Sequence, residues 1–321
     1  MDKKTILITG IHGFVGSNLV EALKANNTIY GLDIVAPEKD GVEKTFSWGD
    51  LENGSIPDID AIIHLAGKAH DTKNKSAADI YFKINTDLTK KIFDYFTEHS
   101  STKKFIFFSS VKAAVDKVPG DVLTEDVTPC PVGPYGESKV RAEEYILTKL
   151  RKEPGRFQGR DVIILRPCMI HGPGNKGNLN LLYGVISKGI PWPLGAFENR
   201  RTFTSIDNLT FVISGILEKP IENGVYNMAD DEALSTNELI SVICGAMDKK
   251  ARIWKLPKGL INLMAKTGDI LHLPLNTFRL TKLTENYVAS NAKIKRALGI
   301  SKMPVQAQDG LTKTIKSFLG K

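Results

Sequence analysis

The first half of the chain alternates short apolar runs with longer segments in which apolar residues recur at helical spacing. Continuous apolar runs are typical of parallel strands that are buried on both faces. Such runs lie at residues 5–9, 28–34, 61–67, 104–110 and 161–167. The helical pattern occupies residues 14–26, 81–99 and 135–152. Repeated strand–helix–strand units predict an α/β fold, a doubly wound parallel sheet with right-handed crossovers.

The alternation becomes irregular after Pro167, where a loop-rich stretch, HGPGNKGNLN, follows. We expect a boundary there, with one domain at residues 1–167 and a smaller α/β domain at residues 168–321. A strand-like segment at residues 224–229 is a candidate to return to the first sheet. Helices are expected in the second domain near residues 178–188, 207–218, 235–247 and 258–271.

Composition and cysteine usage indicate a cytoplasmic protein. Of the 321 residues, 42% are hydrophobic and 25% are charged, which is ordinary for a globular chain of two domains. No run of about 18 apolar residues is present, so no transmembrane helix is expected. The apolar run near the N-terminus is broken by Thr9 and Gly10 before a signal peptide forms. Cys130, Cys168 and Cys244 form no CxxC pair, so we expect reduced thiols and no metal site.

The net charge of +7 is compatible with nucleic acid, anionic lipid or an anionic substrate as a partner. The lysines, however, occur as scattered pairs, and no dense basic run is interleaved with aromatic residues. We therefore expect neither a nucleic-acid partner nor a membrane partner. The charge is interpreted as a solvated basic surface.

A glycine pattern directly follows the first predicted strand and precedes the first predicted helix. Gly10, Gly13 and Gly16 in TGIHGFVG suit a dinucleotide-binding turn. In that turn Gly10 makes the bend, Gly13 lets the backbone approach a pyrophosphate, and Gly16 allows close packing of helix on strand. Phe14 and Val15 lie in the same turn and are further candidate cofactor contacts.

A carboxylate at the end of the second predicted strand extends this pattern. Asp33 can accept hydrogen bonds from an adenosine ribose diol, whereas it would repel a 2′-phosphate. The sequence therefore favours NAD over NADP as the cofactor. The alternative is a turn-forming Asp near Pro37.

Other candidate cofactor contacts lie near the ends of the predicted strands. Asp50 is a candidate adenine contact, with a turn or N-cap carboxylate as the alternative. The HLAG stretch at residues 64–67 places small residues where a cofactor needs close approach of the backbone. Asn85 either holds backbone or water near the strand ends or is a surface residue. The candidates of this group are Asp50, Leu51, Leu65, Ala66, Gly67, Asn85 and Pro167.

Ser110, Tyr135 and Lys139 form the candidate catalytic group. Ser110 ends a predicted strand and Tyr135 begins the next predicted helix, and these ends meet at the ligand-binding edge of a doubly wound sheet. Lys139 lies one turn after Tyr135 on the same helix face. The Lys139 ammonium and a bound nicotinamide cation would lower the pKa of Tyr135 from about 10 towards neutrality. Tyr135 could then exchange a proton with a sugar hydroxyl that Ser110 orients.

The motifs TGIHGFVG, HLAG, FFSSVK, YGESK, LRPCMIHGPG and RTFTSIDNL resemble the extended short-chain dehydrogenase/reductase family, in its NAD-dependent nucleotide-sugar epimerase/dehydratase branch. The resemblance implies a Rossmann domain that carries NAD, a C-terminal domain that covers a nucleotide sugar, and a homodimer. It also implies that Ser110, Tyr135 and Lys139 match the family's catalytic residues. Within the branch, the chain is similar to UDP-glucose 4-epimerase-like enzymes and to reductases of UDP-4-keto-6-deoxy-HexNAc. It departs from the pattern at His171, where the family usually has Tyr.

The resemblance also supplies candidate contacts for the diphosphate of a nucleotide sugar. Arg201 matches the family's phosphate-binding arginine, and its planar fork suits bidentate contact. Asn178 matches a position that hydrogen-bonds the same group. The alternative for both is a solvated surface residue. Arg200 and Lys176 are neighbours whose roles the sequence does not separate.

Three functions are compatible with these residues. In a 4-epimerase acting on a UDP-hexose or UDP-HexNAc, hydride leaves C4 of the sugar and returns to its other face. A nucleotide-sugar 4-ketoreductase or dehydrogenase with exchangeable NAD(P)H uses the same three groups. A non-catalytic NAD-binding protein is disfavoured because Tyr135 and Lys139 are both present. A dehydratase is disfavoured because Val111 and Lys112 follow Ser110 where an acidic pair is usual. We expect the epimerase, and the resemblance implies a place in polysaccharide biosynthesis.

Overall fold

The computed structural model describes residues 3–68, 77–175, 177–271 and 275–319. The strands in these ranges are β1 (Lys4–Thr9), β2 (Asn27–Leu32), β3 (Lys44–Phe46), β4 (Ala61–His64), β5 (Lys104–Phe108), β6 (Asp161–Pro167), β7 (Met169–His171), β8 (Phe203–Ser205) and β9 (Gly224–Met228). One parallel sheet has the order β3-β2-β1-β4-β5-β6-β9, and β7 pairs in parallel with β8. The predicted α/β fold with a parallel sheet is confirmed.

Helices connect the strands and cover both faces of the sheet. They are α1 (Phe14–Leu23), α2 (Trp48–Glu52), α3 (Ala78–Tyr81), α4 (Leu88–Glu98), α5 (Val111–Ala114), α6 (Pro134–Lys152), α7 (Asn178–Ile186), α8 (Ile206–Glu218), α9 (Thr236–Ala246), α10 (Lys258–Leu271), α11 (Thr277–Thr284), α12 (Ala292–Leu298) and α13 (Ala307–Leu319). A 3₁₀ turn follows α6 at Pro154–Phe157. No helix in the described ranges is long and apolar enough to cross a membrane.

The helix predicted over residues 81–99 is divided in the structure. Between α3 and α4 the chain forms a π-helical segment at Phe82–Asp87. Within it, the Thr86 hydroxyl donates to the carbonyl of Ser138 on α6 at 2.7 Å. Asn85 in the same segment is fully buried. Wide turns of this kind often occur at functional sites, and apolar periodicity does not reveal them.

The sheet is buried on both faces, as the continuous apolar runs predicted. Along β1, Ile6 and Ile8 point to one side and pack with α1 and α8. Leu7 points to the other side, where Phe93 and Phe105 are among the buried aromatic residues. Strand alternation therefore divides one apolar run between two cores.

The chain returns to the sheet late in the sequence. Strand β9 pairs with β6, and Leu165 lies opposite Tyr226. Helices α8 and α12 also pack on the face that carries α1. A separate core lies among α7, α9, α10 and α13. Residues on both sides of residue 168 therefore share the sheet. The division into two domains at this position stays a prediction.

Candidate functional site

The glycine turn between β1 and α1 leaves no room for side chains. Gly10 has φ +68°, and a Cβ on it would lie 2.9 Å from the Ala66 nitrogen. A Cβ on Gly16 would lie 2.6 Å from the Gly10 carbonyl oxygen. Gly13 is the N-cap of α1, so the first N–H groups of that helix open onto the turn. The turn is therefore tight and open at the helix start, and its approach to a phosphate stays a prediction.

Asp33 follows β2 and is held beside this turn. Its Oδ2 accepts a hydrogen bond from the N–H of His12 at 3.1 Å, and its Oδ1 accepts one from the N–H of Ile34 at 2.7 Å. The Gly10 N–H donates to the carbonyl of Leu32, the last residue of β2, at 2.9 Å. The carboxylate and the turn are thus fixed to one another. The ribose contact of Asp33 stays a prediction that this placement suits.

Asp50 has a capping role in the structure. Its Oδ2 accepts hydrogen bonds from the backbone N–H and the hydroxyl of Ser47, both at 2.7 Å, which forms a capping box at the start of α2. These bonds, the one from the Ser47 backbone first, lower the pKa of Asp50. Asp50 therefore has a helix-capping role, which was the alternative to an adenine contact. Both of these bonds are accepted by Oδ2. Leu51 beside it is buried. The adenine contact of Asp50 and the cofactor contact of Leu51 stay predictions.

The loop after β4 is fixed by a buried hydrogen-bond network. The Thr9 hydroxyl oxygen accepts bonds from the N–H groups of Leu65 and Ala66, at 3.1 and 2.9 Å. The same hydroxyl lies 2.7 Å from Nδ1 of His64. Burial holds the pKa of His64 well below its ordinary 6.5, with Lys139 as a smaller cause. His64 is therefore a packed, neutral residue that supports the loop.

Asn85 joins this loop to the catalytic helix. Its Oδ1 accepts a hydrogen bond from the Lys68 N–H at 2.8 Å, and its Nδ2 donates to the Ser138 hydroxyl at 3.0 Å. A Cβ on Gly67 would lie 3.0 Å from Asn85 Oδ1 and 3.2 Å from Lys139 Nζ. Asn85 is thus a buried residue that holds backbone near the strand ends. The tight space at Gly67 brings the two candidate groups together.

Lys139 is buried at the end of β5. Helix α6 begins at Pro134, and the Lys139 ammonium, one turn in, donates to the carbonyl of Phe108 at 2.7 Å. It also lies 4.9 Å from the centre of the Phe107 ring. Burial lowers the pKa of Lys139 to about 8, against the smaller raising effect of Glu143. The ammonium is therefore held rigidly and is easier to deprotonate than a surface lysine.

Ser110 and Tyr135 are hydrogen-bonded to each other. Ser110 is the N-cap of α5, and its hydroxyl oxygen accepts a bond from the Lys112 N–H at 3.2 Å. Burial raises the pKa of Tyr135, the bond with Ser110 opposes that effect, and Tyr81 adds to it. Burial therefore disfavours the phenolate more than the hydroxyl of Ser110 stabilises it. The lowering expected from Lys139 together with a bound nicotinamide cation stays a prediction.

Two residues near this group were missed from the sequence. The Tyr81 ring meets the Tyr135 ring edge-on, with centroids 6.3 Å apart. Glu143, one turn after Lys139, is buried. An acidic residue four positions after Lys139 on the inward face of a helix was a usable signal for the second of these. The first depends on the packing of α3 against α6 and has no local signal.

Arg201 is engaged by the chain itself. Its guanidinium donates to the backbone carbonyls of Lys282 and Glu285, the latter at 3.3 Å, and lies 3.7 Å from the Glu285 carboxylate. Burial lowers its pKa, against the effect of Glu285. Asn178 is exposed at the first position of α7. Diphosphate contacts at Arg201 and Asn178 therefore stay predictions.

The remaining neighbours have structural surroundings. Arg200 donates to the carbonyl of Ala233 at 2.7 Å. His171 is fully buried, with Nδ1 2.9 Å from the Thr314 hydroxyl. Pro167 ends β6 and is buried. Lys176 lies outside the described residues.

Comparisons with known proteins agree with this geometry. The model of the NAD dependent epimerase/dehydratase family matches residues 6–229. The chain is 31% identical over 339 residues to a UDP-glucose 4-epimerase of Vibrio cholerae, covering 98% of this chain and 96% of that protein. It is 28% identical over 299 residues to an N-acetyl-alpha-D-glucosaminyl-diphospho-ditrans,octacis-undecaprenol 4-epimerase of Escherichia coli O157:H7, covering 91% and 84%.

A solved structure shows the same fold. The crystal structure of UDP-glucuronic acid 4-epimerase from Bacillus cereus, in complex with NAD, matches with a TM-score of 0.74 and 22% identity. The match covers 98% of this chain and 99% of that chain. At this level of identity the likeness establishes the fold.

Proposed function

This chain belongs to the NAD-dependent epimerase/dehydratase family, and from that membership we propose that it is a nucleotide-sugar 4-epimerase acting on a UDP-hexose or UDP-HexNAc. The observation that carries the proposal is the hydrogen bond between Ser110 and Tyr135 at the end of the strand that also fixes Lys139. A proton-exchanging hydroxyl and its orienting partner are what a reaction at a sugar hydroxyl requires. We also propose that the enzyme is a cytoplasmic homodimer.

The residues that follow the carboxyl ends of β1, β2 and β4 fit NAD. Any Cβ at Gly10 or Gly16 would fill the space where the backbone meets a pyrophosphate, and the start of α1 supplies N–H groups. Asp33 suits the adenosine ribose diol and is fixed at the turn. The other proposed contacts are Gly13, Phe14, Val15, Asp50, Leu51, Leu65, Ala66, Gly67, Asn85, Tyr135, Lys139 and Pro167. These residues would hold NAD, which would supply a reversible hydride acceptor for C4 of the sugar.

The chain's own groups manage the proton. We assign Tyr135 to take the proton of the 4-hydroxyl and to give it back after the sugar has turned over. The Ser110 oxygen accepts a backbone N–H, and its proton, which bonds to Tyr135 in this structure, would be donated to the oxygen at C4 when the sugar binds. Lys139 is fully enclosed, and its positive charge favours the phenolate form of Tyr135. Each group serves both directions, so the reaction needs no net redox change.

The diphosphate of the substrate is assigned to the second half of the chain. Arg201 supplies a half-buried guanidinium, and Asn178 supplies an exposed amide near the start of α7. Because Arg201 already contacts Glu285, the anionic substrate would compete with that carboxylate. Arg201→Met is expected to raise KM more than it lowers kcat, since it removes binding that does not change in the transition state.

A second candidate substrate carries its sugar diphosphate on a polyprenol, as the name of the Escherichia coli relative states for that enzyme. The observation that favours it is the exposed apolar side of α10, where Leu263 and Ile270 are among the most exposed of the large apolar side chains in the described residues. The catalytic assignments are unchanged, because the reacting carbon is the same. Only the group beyond the diphosphate differs.

The test uses protein purified without added cofactor. Denaturation should release stoichiometric NAD, and the native protein should convert UDP-GlcNAc, UDP-glucose or polyprenyl-diphospho-GlcNAc to its C4 epimer without added cofactor, followed by NMR. The substrate with the highest kcat/KM decides between the two substrate classes. Protein without NAD that turns over only a 4-keto sugar with added NADH would instead be a 4-ketoreductase, and the epimerase proposal would be wrong.

A further inference from the structure

Helix α10 has two apolar sides. Ile261, Ala265 and Gly268, at spacings of four and three residues, are buried on one side. Ile261 and Ala265 belong to the core shared by α7, α9 and α13. The packing of this buried side against the core holds α10 in place on the protein.

The second apolar side faces away from that core. Leu263 and Ile270, seven positions apart, have exposed fractions of 63% and 78%. Leu260, Met264 and Leu271, at spacings of four and seven, are 48%, 47% and 62% exposed. At 100° per residue these five side chains lie on one side of the helix. Single exposed apolar residues are ordinary, but an apolar stripe of five is typical of an interaction surface.

Aromatic residues flank this stripe along the chain. Trp254, before α10, is 55% exposed, and Phe278, on α11, is 69% exposed. Tryptophan and phenylalanine are common in segments that insert shallowly at the boundary between lipid headgroups and acyl chains. The stripe and its flanking residues therefore have the composition of a membrane-surface segment.

The same segment carries the positive charge of the protein. Residues 249–284 contain one acidic residue, Asp269, whose carboxylate bonds to Thr277. The basic residues in this range are Lys249, Lys250, Arg252, Lys255, Lys258, Lys266, Arg279 and Lys282. Its net charge therefore equals the +7 of the whole chain, and the rest of the chain is balanced. Of the scattered lysine pairs of the sequence, Lys249 and Lys250 lie in this segment, and the other pairs lie elsewhere along the chain.

We propose that the described parts of this segment, residues 249–271 and 275–284, dock on an anionic membrane surface. The apolar stripe of α10 would enter the boundary between headgroups and acyl chains, and exposed basic side chains such as Lys258 and Lys266 on the same helix would contact lipid phosphates. A second copy of the chain is a poorer occupant, because a twofold contact through this face would bring two strongly basic segments together. The proposal revises the expectation that the protein has no membrane partner.

The docking segment is linked to the catalytic edge. On α11, the Lys282 ammonium lies 2.8 Å from the Asp116 carboxylate. Asp116 lies two residues after the end of α5, the helix that Ser110 caps. The carbonyl of Lys282 accepts a bond from Arg201, the candidate diphosphate contact. A membrane surface held by this segment would therefore lie beside the proposed diphosphate site. Membrane docking goes beyond the proposed reaction and does not depend on it.

The test is flotation of the full-length protein with vesicles of equal parts phosphatidylcholine and phosphatidylglycerol. We expect the protein to float with these vesicles, to stay behind with pure phosphatidylcholine, and to be released by salt at about 0.5 M, where charges are screened within roughly 4 Å. The variant Leu263→Glu/Ile270→Glu should bind at least about tenfold more weakly, since it removes apolar burial and adds negative charge. The matched control, Val122→Glu/Phe211→Glu, changes two exposed apolar residues outside the segment and should bind as the wild type does.

Each result decides the proposal. Wild-type protein that does not float, or a Leu263→Glu/Ile270→Glu variant that floats equally well, would overturn it. If the wild type sediments as a dimer that this variant converts to a monomer, the stripe is an interface between copies and the proposal is wrong. The variant should keep the thermal unfolding temperature and the turnover of a soluble UDP-sugar. These two readouts separate failure of docking from failure of the fold or of the proposed reaction.

Discussion

Glu143 and Arg166 form a buried ion pair one helical turn beyond Lys139. The Arg166 Nε donates to Glu143 Oε1 at 2.9 Å, and the two side chains are only 3% and 1% exposed. The Ser109 hydroxyl donates to the same carboxylate. The pair therefore ties β5, α6 and β6 together directly behind the candidate catalytic residues.

Breaking this pair should be costly. Arg166→Met leaves the Glu143 carboxylate buried without its partner, and such a change costs about 3–5 kcal/mol of unfolding free energy. Urea unfolding measures it. Arg156→Ala is the control, because its pair with Glu153 is exposed and should contribute less than about 1 kcal/mol. Equal losses in the two variants would show that the buried pair does not stabilise the fold as described.

The pH dependence should report Lys139. Its ammonium loses its proton near pH 8 in the folded protein, so activity should fall as the pH rises through that value. Glu143 raises the pKa of Lys139, so Glu143→Gln should move the alkaline limb of kcat/KM to lower pH. Glu143→Asp, which keeps the charge, is the control and should move it less. An alkaline limb that is identical in all three proteins would separate Lys139 from the reaction.

The lowered pKa of Lys139 should make the folded protein more stable as the pH rises, whereas it should make the enzyme less active. Between about pH 8 and 10.5 the unfolded chain holds a proton on Lys139 that the folded chain has lost. Stability therefore rises with pH across this window. Lys139→Met should remove that rise, which unfolding at a series of pH values would detect. A rise that persists unchanged in Lys139→Met would assign it to other groups.

Tyr135→Phe should lose epimerisation by roughly 10²–10⁴-fold, the usual contribution of a positioned acid or base. The protein should still release NAD on denaturation, because the glycine turn is untouched. Tyr145→Phe, on the same helix, is the control: its hydroxyl bonds to Asp94, and its activity should be near that of the wild type. Comparable activity in the two variants would remove Tyr135 from the proposed role.

The strands of the sheet and the shared helix face of Tyr135 and Lys139 could be predicted from the sequence, because both depend on residues that are close together along the chain. The apolar run ending at Phe108 predicts a strand, and a separation of four residues predicts a shared face for Tyr135 and Lys139. The structure adds contacts between segments far apart in sequence. The bond from Lys139 to Phe108 and the pairing of Glu143 with Arg166 depend on how α6 lies on the sheet.

Other misses have equally physical causes. Strand β3 is only three residues long and has one buried apolar residue, Phe46, so no apolar run marks it. The burial of Tyr135, which raises its pKa, is not visible from its spacing to Lys139. The pattern of α10 predicts an amphipathic helix, but only the tertiary structure shows that one of its two apolar sides is left exposed.

Gly16→Ala tests the cofactor site most directly. A Cβ there would lie 2.6 and 2.7 Å from the carbonyl oxygens of Gly10 and Ile11, so the turn or α1 must shift. We expect a loss of about 1–3 kcal/mol in unfolding free energy from the overpacking and a protein purified with little NAD. Denaturation and quantification of released NAD, together with urea unfolding, measure both effects.

The matched control is Gly184→Ala on α7, where a Cβ would meet nothing within 4 Å. That change should leave NAD content unchanged and stabilise the helix by about 0.5–1 kcal/mol. If Gly16→Ala keeps stoichiometric NAD and wild-type stability while Gly184→Ala behaves as expected, the β1–α1 turn does not hold the pyrophosphate. A loss of NAD without a loss of stability would place the effect of Gly16 on the cofactor rather than on the fold.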